Sequence, residues 1–321
     1  ILERLLRSVG FITKIGVRLL HDQQQLVQVT EQQLEVLEDL ELNEKTAVMG
    51  YAGTGKTIIA TEFAKRMSEA GKQVLLLFYN RAIANTVRYG LGRDSPIECA
   101  TFHSLAKQVI GASDAAWWRA NAKKDDREFW ETHVPLIMLE SIEGHDPEYD
   151  VIIVDEGQDF KSEWFETLEQ LLVPSTDSRF VVFYDQHQDI FGRWTDLPWQ
   201  PEQVTKKLLR KNCRNTKEII RYLKDLAPSE MKAFERSPEG QPVVIKTATD
   251  ISEQVEFIRQ DLDKMLRDGI EPGKIVILID SPMAESAVSK IEQVGRCKLD
   301  WMGRTYRADS RNIQITNINN F

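Results

Sequence analysis

Residues Gly50-Tyr51-Ala52-Gly53-Thr54-Gly55-Lys56-Thr57 fit the pattern G-x-x-x-x-G-K-[ST], the loop that wraps a nucleotide's phosphates. No other feature of the sequence narrows the fold as much. Thr46-Ala47-Val48-Met49 before it reads as a short buried strand. Ile58 to Ala70 after it reads as a helix, with Ile58, Ile59, Phe63 and Met67 on one face and Gly71 as its stop. Strand, glycine loop, helix is the context the pattern requires. Glycines let backbone N–H groups turn inward, and a helix start adds partial positive charge. Gly50, Gly53, Thr54 and Gly55 then form the cradle, Lys56 reaches the β- and γ-phosphates, and the Thr57 hydroxyl ligates Mg²⁺. These residues imply a nucleoside triphosphate, taken as ATP.

A second strand strengthens that reading. Val151-Ile152-Ile153-Val154 delivers Asp155-Glu156-Gly157-Gln158-Asp159, which sets two carboxylates at the phosphate-binding edge of a sheet. Asp155 suits Mg²⁺, and Glu156 suits orienting and deprotonating an attacking water. The apolar runs Val74–Tyr79 and Phe180–Tyr184 alternate with helical stretches, as expected of a parallel sheet buried on both faces. Phe78 and Asn80 fall at the carboxyl end of one such strand, and Thr101 with His103 follows a short extended piece.

Length and charge set the limits. The 321 residues give room for two domains, and 42% hydrophobic with 28% charged content is that of a soluble globular protein. A net charge of −9 argues against coating a polyanion with the whole surface but leaves room for a local basic groove. No apolar run is long enough to span a bilayer, so no membrane partner is expected. Cys99, Cys213 and Cys297 are isolated and lack metal-ligand spacing, which suggests reduced thiols in a cytoplasm.

Residues 1–28 read as a connector from an upstream domain, or as a helix packed on the first domain. Thr30 and Gln33 open a helix ahead of the phosphate loop, and a glutamine there can pair with an adenine edge. Residues 104–148, with Trp117, Trp118 and Trp130, read as a small helical insertion hanging from the first domain. The most basic stretch runs from Lys206 to Lys224. Pro242–Lys246, Ser252–Leu266 and Lys274–Ile279 then read as strand, helix, strand, the start of a second parallel sheet.

In register, these pieces resemble superfamily 1 helicases of the UvrD/Rep type. Thr30-Glu31-Gln32-Gln33 is similar to the family's adenine-reading Q motif, and Gly50–Thr57 to its motif I. Phe78-Tyr79-Asn80-Arg81-Ala82 resembles motif Ia, and Thr101-Phe102-His103 the element that touches single-stranded DNA. Asp155–Asp159 resembles the D-E-x-Q-D form of motif II. Gln188-Asp189-Ile190-Phe191 resembles motif III, Asn212-Cys213-Arg214-Asn215 motif IV, and Ile313–Ile318 the strand leading into motif V.

The resemblance implies an α/β protein with two RecA-like parallel-sheet domains, 29–205 and an incomplete 206–321, and ATP hydrolysed at their interface. Lys56, Glu156, Gln188 and Arg214 would be catalytic, with Arg214 supplied by the second domain. Phe78, Asn80, Thr101, His103, Phe191 and Trp194 would line a track for single-stranded DNA, with RNA the alternative.

Departures carry expectations of their own. Cys213 stands where the family stacks a tyrosine on adenine, and Ile58 where it follows motif I with arginine, so weak adenine discrimination is expected. The chain begins at Ile1 and ends in an apolar run before the family's last arginine, as a piece of a longer protein would, with a fused upstream domain, possibly a nuclease, as partner. Two other readings stay open: a nucleotide-gated module controlling such a nuclease without unwinding, and a P-loop phosphotransferase.

Overall fold

The computed structural model describes residues 31–92, 94–121, 128–142, 148–185, 197–226, 229–301 and 310–317. The chain divides into two compact units, with Gln28–Ser237 forming one and Pro238–Phe321 falling in the other. Among the described residues no helix is long and apolar enough to cross a membrane.

The first unit is built on six parallel strands: β1 (Lys45–Gly50), β2 (Val74–Phe78), β3 (Glu98–Thr101), β4 (Val151–Asp155), β5 (Arg179–Tyr184) and β6 (Thr205–Leu209), in the spatial order β3-β2-β4-β5-β1-β6. Alternate residues of an apolar strand point to opposite faces, and here both faces are covered. On one face Leu76, Phe78, Ile153, Val181 and Phe183 pack with Val36 and Leu40 of α1 (Glu31–Leu42), Ile59 and Phe63 of α2 (Lys56–Glu69), and Ala84 of α3 (Arg81–Leu91). On the other, Leu75, Leu77, Ile152, Val154, Phe180 and Val182 share a core with three helices. These are α4 (Phe102–Ser113), which contributes Phe102, Leu105 and Ile110; α6 (Val134–Ile142), which contributes Met138; and α7 (Ser162–Glu169), which contributes Trp164 and Leu168. Between α4 and α6 lie α5 (Ala115–Asn121) and the π-helical turn Phe129–His133. The helices expected to hang from the domain are therefore one wall of its core.

The expected boundary at 205/206 is corrected by β6. Its residues run parallel to β1, from Thr46 opposite Thr205 to Gly50 opposite Leu209, which makes it the sheet's outer strand. Thr-Lys-Lys-Leu-Leu reads as a basic surface stretch because an edge strand carries charge where a central one cannot. Lys207 pairs with Asp39 of α1 at 2.5 Å. Beyond it, β7 (Lys211–Asn212) pairs in parallel with β8 (Lys232–Ala233), and α8 (Lys217–Leu226) lies between them in sequence.

The second unit has a four-stranded sheet in the order β10-β11-β12-β9: β9 (Val276–Ile279), β10 (Gln293–Val294), β11 (Cys297–Trp301) and β12 (Ile313–Asn317). β11, β12 and β9 are parallel, as expected, but β10 runs antiparallel to β11, so the sheet is mixed. Helix α9 (Ile251–Arg267), capped by the Asp250 side chain on Glu253 N–H at 2.9 Å, packs Leu262 against Ile275 and Ile313. Pro242–Lys246, expected as a strand, has no strand pairing among the described residues.

Candidate functional site

All six strands of the first unit's main sheet are parallel, so their carboxyl ends share one edge, where open α/β sheets bind ligands. That edge gathers the phosphate loop after β1, Asn80 after β2, Asp155 and Glu156 at β4, Asp185 after β5, and Asn212 beyond β6.

The loop is shaped by backbone. Gly53 and Gly55 have φ of +77° and +89°, a left-handed conformation that side chains resist. A Cβ on Gly55 would lie 2.3 Å from Gln33 Nε2, and one on Gly53 2.6 Å from Asn212 Nδ2. The buried Thr54 hydroxyl donates to Tyr51 C=O at 2.8 Å and braces the loop from within. A Cβ on Gly50 would fall 2.7 Å from that hydroxyl.

The charged groups converge behind it. Lys56, 5% exposed, donates through Nζ to Gly50 C=O at 3.0 Å and lies 4.0 Å from Glu156 Oε2 and 3.9 Å from Asp185 Oδ2. Thr57 donates its hydroxyl to Asp155 Oδ2 at 2.5 Å. Asp155 is fully buried, and its Oδ1 has no hydrogen-bond partner among the described residues. Burial, with Glu156 beside it, pushes the Asp155 carboxyl up to about 7, against the pull of Thr57 and Lys56. A buried carboxylate with an orphaned oxygen next to a threonine hydroxyl fits a divalent cation, so Thr57 and Asp155 suit Mg²⁺.

Glu156 has φ +54° and ψ +48°, and it is the non-glycine residue with positive φ among the described residues. Gly157 follows because a Cβ there would meet Val182 Cγ1 at 2.5 Å. The buried Gln158 donates Nε2 to Glu156 Oε2 at 2.7 Å and accepts at Oε1 from Asp185 N–H at 3.0 Å.

Several expected roles are changed by position. Gln33 is buried, and its Nε2 donates to Thr54 C=O at 2.8 Å, so its amide braces the phosphate loop rather than standing free for a base. Cys213 Sγ lies 3.9 Å from the same nitrogen. Arg214 does not come from a second unit. It follows Asn212 and Cys213, and Cys213 N–H donates to Gly53 C=O at 2.8 Å, so the turn that carries it belongs to the phosphate loop's own unit. Its side chain is exposed.

Of the expected track, Phe78 is 1% exposed in the sheet core and cannot serve as a platform. Thr101 is buried and caps α4, its hydroxyl accepting from Ser104 N–H at 3.2 Å. Asn80 is exposed. His103 is half-buried, with ring-edge contacts to Trp164 at 5.2 Å and Trp130 at 5.7 Å between centroids. Gln188, Phe191 and Trp194 lie outside the described residues.

The sequence alone assigned no role to Gln158, Asp185, Asn212 or Tyr51, although Gln158, Asn212 and Tyr51 all sit inside the motifs named above. Tyr51 packs with Ile220 and Met231, and its hydroxyl accepts from Glu230 N–H at 3.3 Å, anchoring the loop to α8 and β8.

Among curated proteins none matches this chain. A solved structure titled as that of a DNA replication initiation factor is similar at 12% identity with a TM-score of 0.26, over 79% of this chain and 53% of that one. The chain thus spans about half the length of that structure. A family model described as "Schlafen group 3, DNA/RNA helicase domain" matches residues 44–272, more than half of the 321. That span contains the phosphate loop, the Asp155–Glu156 pair and the turn bearing Arg214, and the chain belongs to the Schlafen group 3 DNA/RNA helicase domain family.

Proposed function

We propose that this chain is the ATP-hydrolysing part of a motor on single-stranded nucleic acid, of the superfamily 1 UvrD/Rep type. The observation that carries the reading is the convergence of Lys56, Thr57, Asp155 and Glu156 at one sheet edge, with Asp155 Oδ1 buried and unpartnered among the described residues.

The residues divide the work by position. Backbone N–H groups at the start of α2 and Lys56 Nζ take the β- and γ-phosphates, and Lys56 exchanges Gly50 C=O for phosphate oxygen. Thr57 and Asp155 hold Mg²⁺, which supplies charge neutralisation on the phosphates. Glu156 keeps one carboxylate oxygen on Gln158 and uses the other to accept a proton from the attacking water. Arg214, presented from the turn on the phosphate loop, stabilises charge on the transferring phosphoryl, a contribution of about 10³–10⁵ in rate where such arginines have been removed. Cys213 offers the base no aromatic face, so ATP and GTP turn over at comparable rates. Asn80 and His103 remain as first-unit contacts for the strand, single-stranded DNA or RNA, and an upstream nuclease domain is the natural load.

ATPase rate with and without oligo-dT, for wild type, Lys56→Ala and Glu156→Gln, tests the reading. Wild type should be stimulated by the strand, Lys56→Ala should lose nucleotide binding, and Glu156→Gln should bind but not turn over. Hydrolysis indifferent to every nucleic acid would return the site to a small-molecule phosphotransferase.

A further inference from the structure

The phosphate-sensing groups close into a ring through a side chain with no assigned task. Lys56 Nζ lies 4.0 Å from Glu156 Oε2 and 3.9 Å from Asp185 Oδ2. The remaining link between those carboxylate residues is Gln158, which donates to Glu156 at 2.7 Å and accepts from the Asp185 backbone at 3.0 Å. Asp185 is 2% exposed and stands directly after β5, in the stretch of chain that continues to Gln188.

We propose that Gln158 is a positioning residue that sets the Glu156 carboxylate for water activation and ties it to the exit of β5. The proposal rests on reading the site as a strand-stimulated ATP hydrolase.

Three features carry it. First, Glu156 sits in a left-handed conformation that a non-glycine residue resists, and such strain persists only where surrounding structure over-determines it. Second, the over-determination is visible: Gly157 is forced by Val182, and both polar ends of Gln158 are used, one on the carboxylate and one on a backbone N–H of the neighbouring strand's exit. Third, Gln158 is 2% exposed, so an apolar residue would fill the same space without cost to packing, and an amide there needs another reason. An amide can donate and accept at once, which a link between a carboxylate and an N–H requires. Departure of the γ-phosphate changes what Lys56 attracts, and through this ring the change reaches Asp185 by two routes, the Lys56 charge and the Gln158 bridge.

Gln158→Met removes both bonds at nearly constant volume. Gln158→Glu keeps an acceptor for Asp185 N–H but presents Glu156 with a carboxylate in place of a donor. In wild type and both variants we would measure kcat, KM for ATP, binding of a non-hydrolysable ATP analogue, and the ratio of rates with and without oligo-dT. Both variants should lose about 10–100-fold in kcat, the range seen when a side chain orienting a reactive group is removed, with analogue binding and KM unchanged. The oligo-dT ratio should fall towards one in Gln158→Met. Unchanged kcat in the variants, beside an active and stimulated wild type, would overturn the proposal alone. Analogue binding lost in step with turnover would reduce Gln158 to a structural role and overturn it too. A wild type that hydrolyses no ATP would sink the parent reading instead.

Discussion

Asn212 donates its side-chain amide to the carbonyl of Ala52 at 2.6 Å, while its Oδ1 accepts from the backbone N–H groups of Arg214 and Asn215 at 3.1 and 2.9 Å. One fully buried side chain thereby fixes both the phosphate loop and the turn that presents Arg214. Asn212→Ala would leave a carbonyl and two N–H groups without these partners, each costing about 1–3 kcal/mol if it stays dry. We expect a loss of about 2–4 kcal/mol in urea unfolding of the first unit. Turnover should fall further than nucleotide binding does, because Arg214 loses its mount. A variant as stable and as fast as wild type would mean that Cys213 N–H on Gly53 alone holds the turn.

Two of the left-handed glycines, Gly55 and Gly71, should fail differently. Gly71→Ala has open space around its Cβ, so only the backbone strain of φ +81° opposes it, about 1–2 kcal/mol. Gly55→Ala carries the same kind of strain and also drives a methyl to 2.3 Å from Gln33 Nε2, pushing out the glutamine that braces Thr54. Calorimetry should therefore show nucleotide binding abolished in Gly55→Ala and retained in Gly71→Ala, although both melt early. Equal binding by the two would mean that the loop adapts without Gln33.

Asp155 gives the metal-free protein a pH signature. Its carboxyl is raised from the ordinary 3.8 to about 7 by burial and by Glu156. A carboxyl raised in the folded state binds more protons folded than unfolded, so its contribution to stability is full below about 4 and lost as pH rises through about 7. Asp155→Asn carries no such charge. Without nucleotide or Mg²⁺ it should melt above wild type at about pH 8, with the gap closing towards about pH 5 as wild-type Asp155 takes up its proton. A gap independent of pH would show that Asp155 stays ionised throughout, held by Thr57 and Lys56.

How much of this was legible depended on what each residue type must do. β2, β4 and most of β5 announced themselves because a strand buried on both faces has to be apolar, while β1 was readable from the glycine loop that follows it. β6 did not, because its lysines suit an edge and imitate a solvated surface, and that shifted the expected boundary. The phosphate loop and the Asp155–Glu156 pair were readable because phosphate and metal chemistry demand those residues at that spacing. Phe78 misled: the same aromatic ring serves a core or a base stack, and only burial decides. Gln158 and Asn212 were in view but mute, since a bridging amide shows its purpose only when the two groups it joins are brought together by folding.

Pro242-Val243-Val244-Ile245-Lys246 has the composition of a buried strand without strand pairing among the described residues, and Val244 and Ile245 are 76% and 67% exposed. β-branched apolar residues presented to water favour pairing with another chain, and the flanking proline and lysine only blunt that tendency. Self-association of the chain should therefore depend on this segment. Val244→Lys replaces a methyl-rich surface with a charge at a site where no packing is lost, so its effect on stability should stay within about 0.5 kcal/mol. Light scattering across a concentration series should show less association for Val244→Lys than for wild type, with ATP binding by the first unit unchanged. Equal association in the two would shift the cause to another exposed apolar residue, of which Trp301, 47% exposed on β11, is the next to substitute.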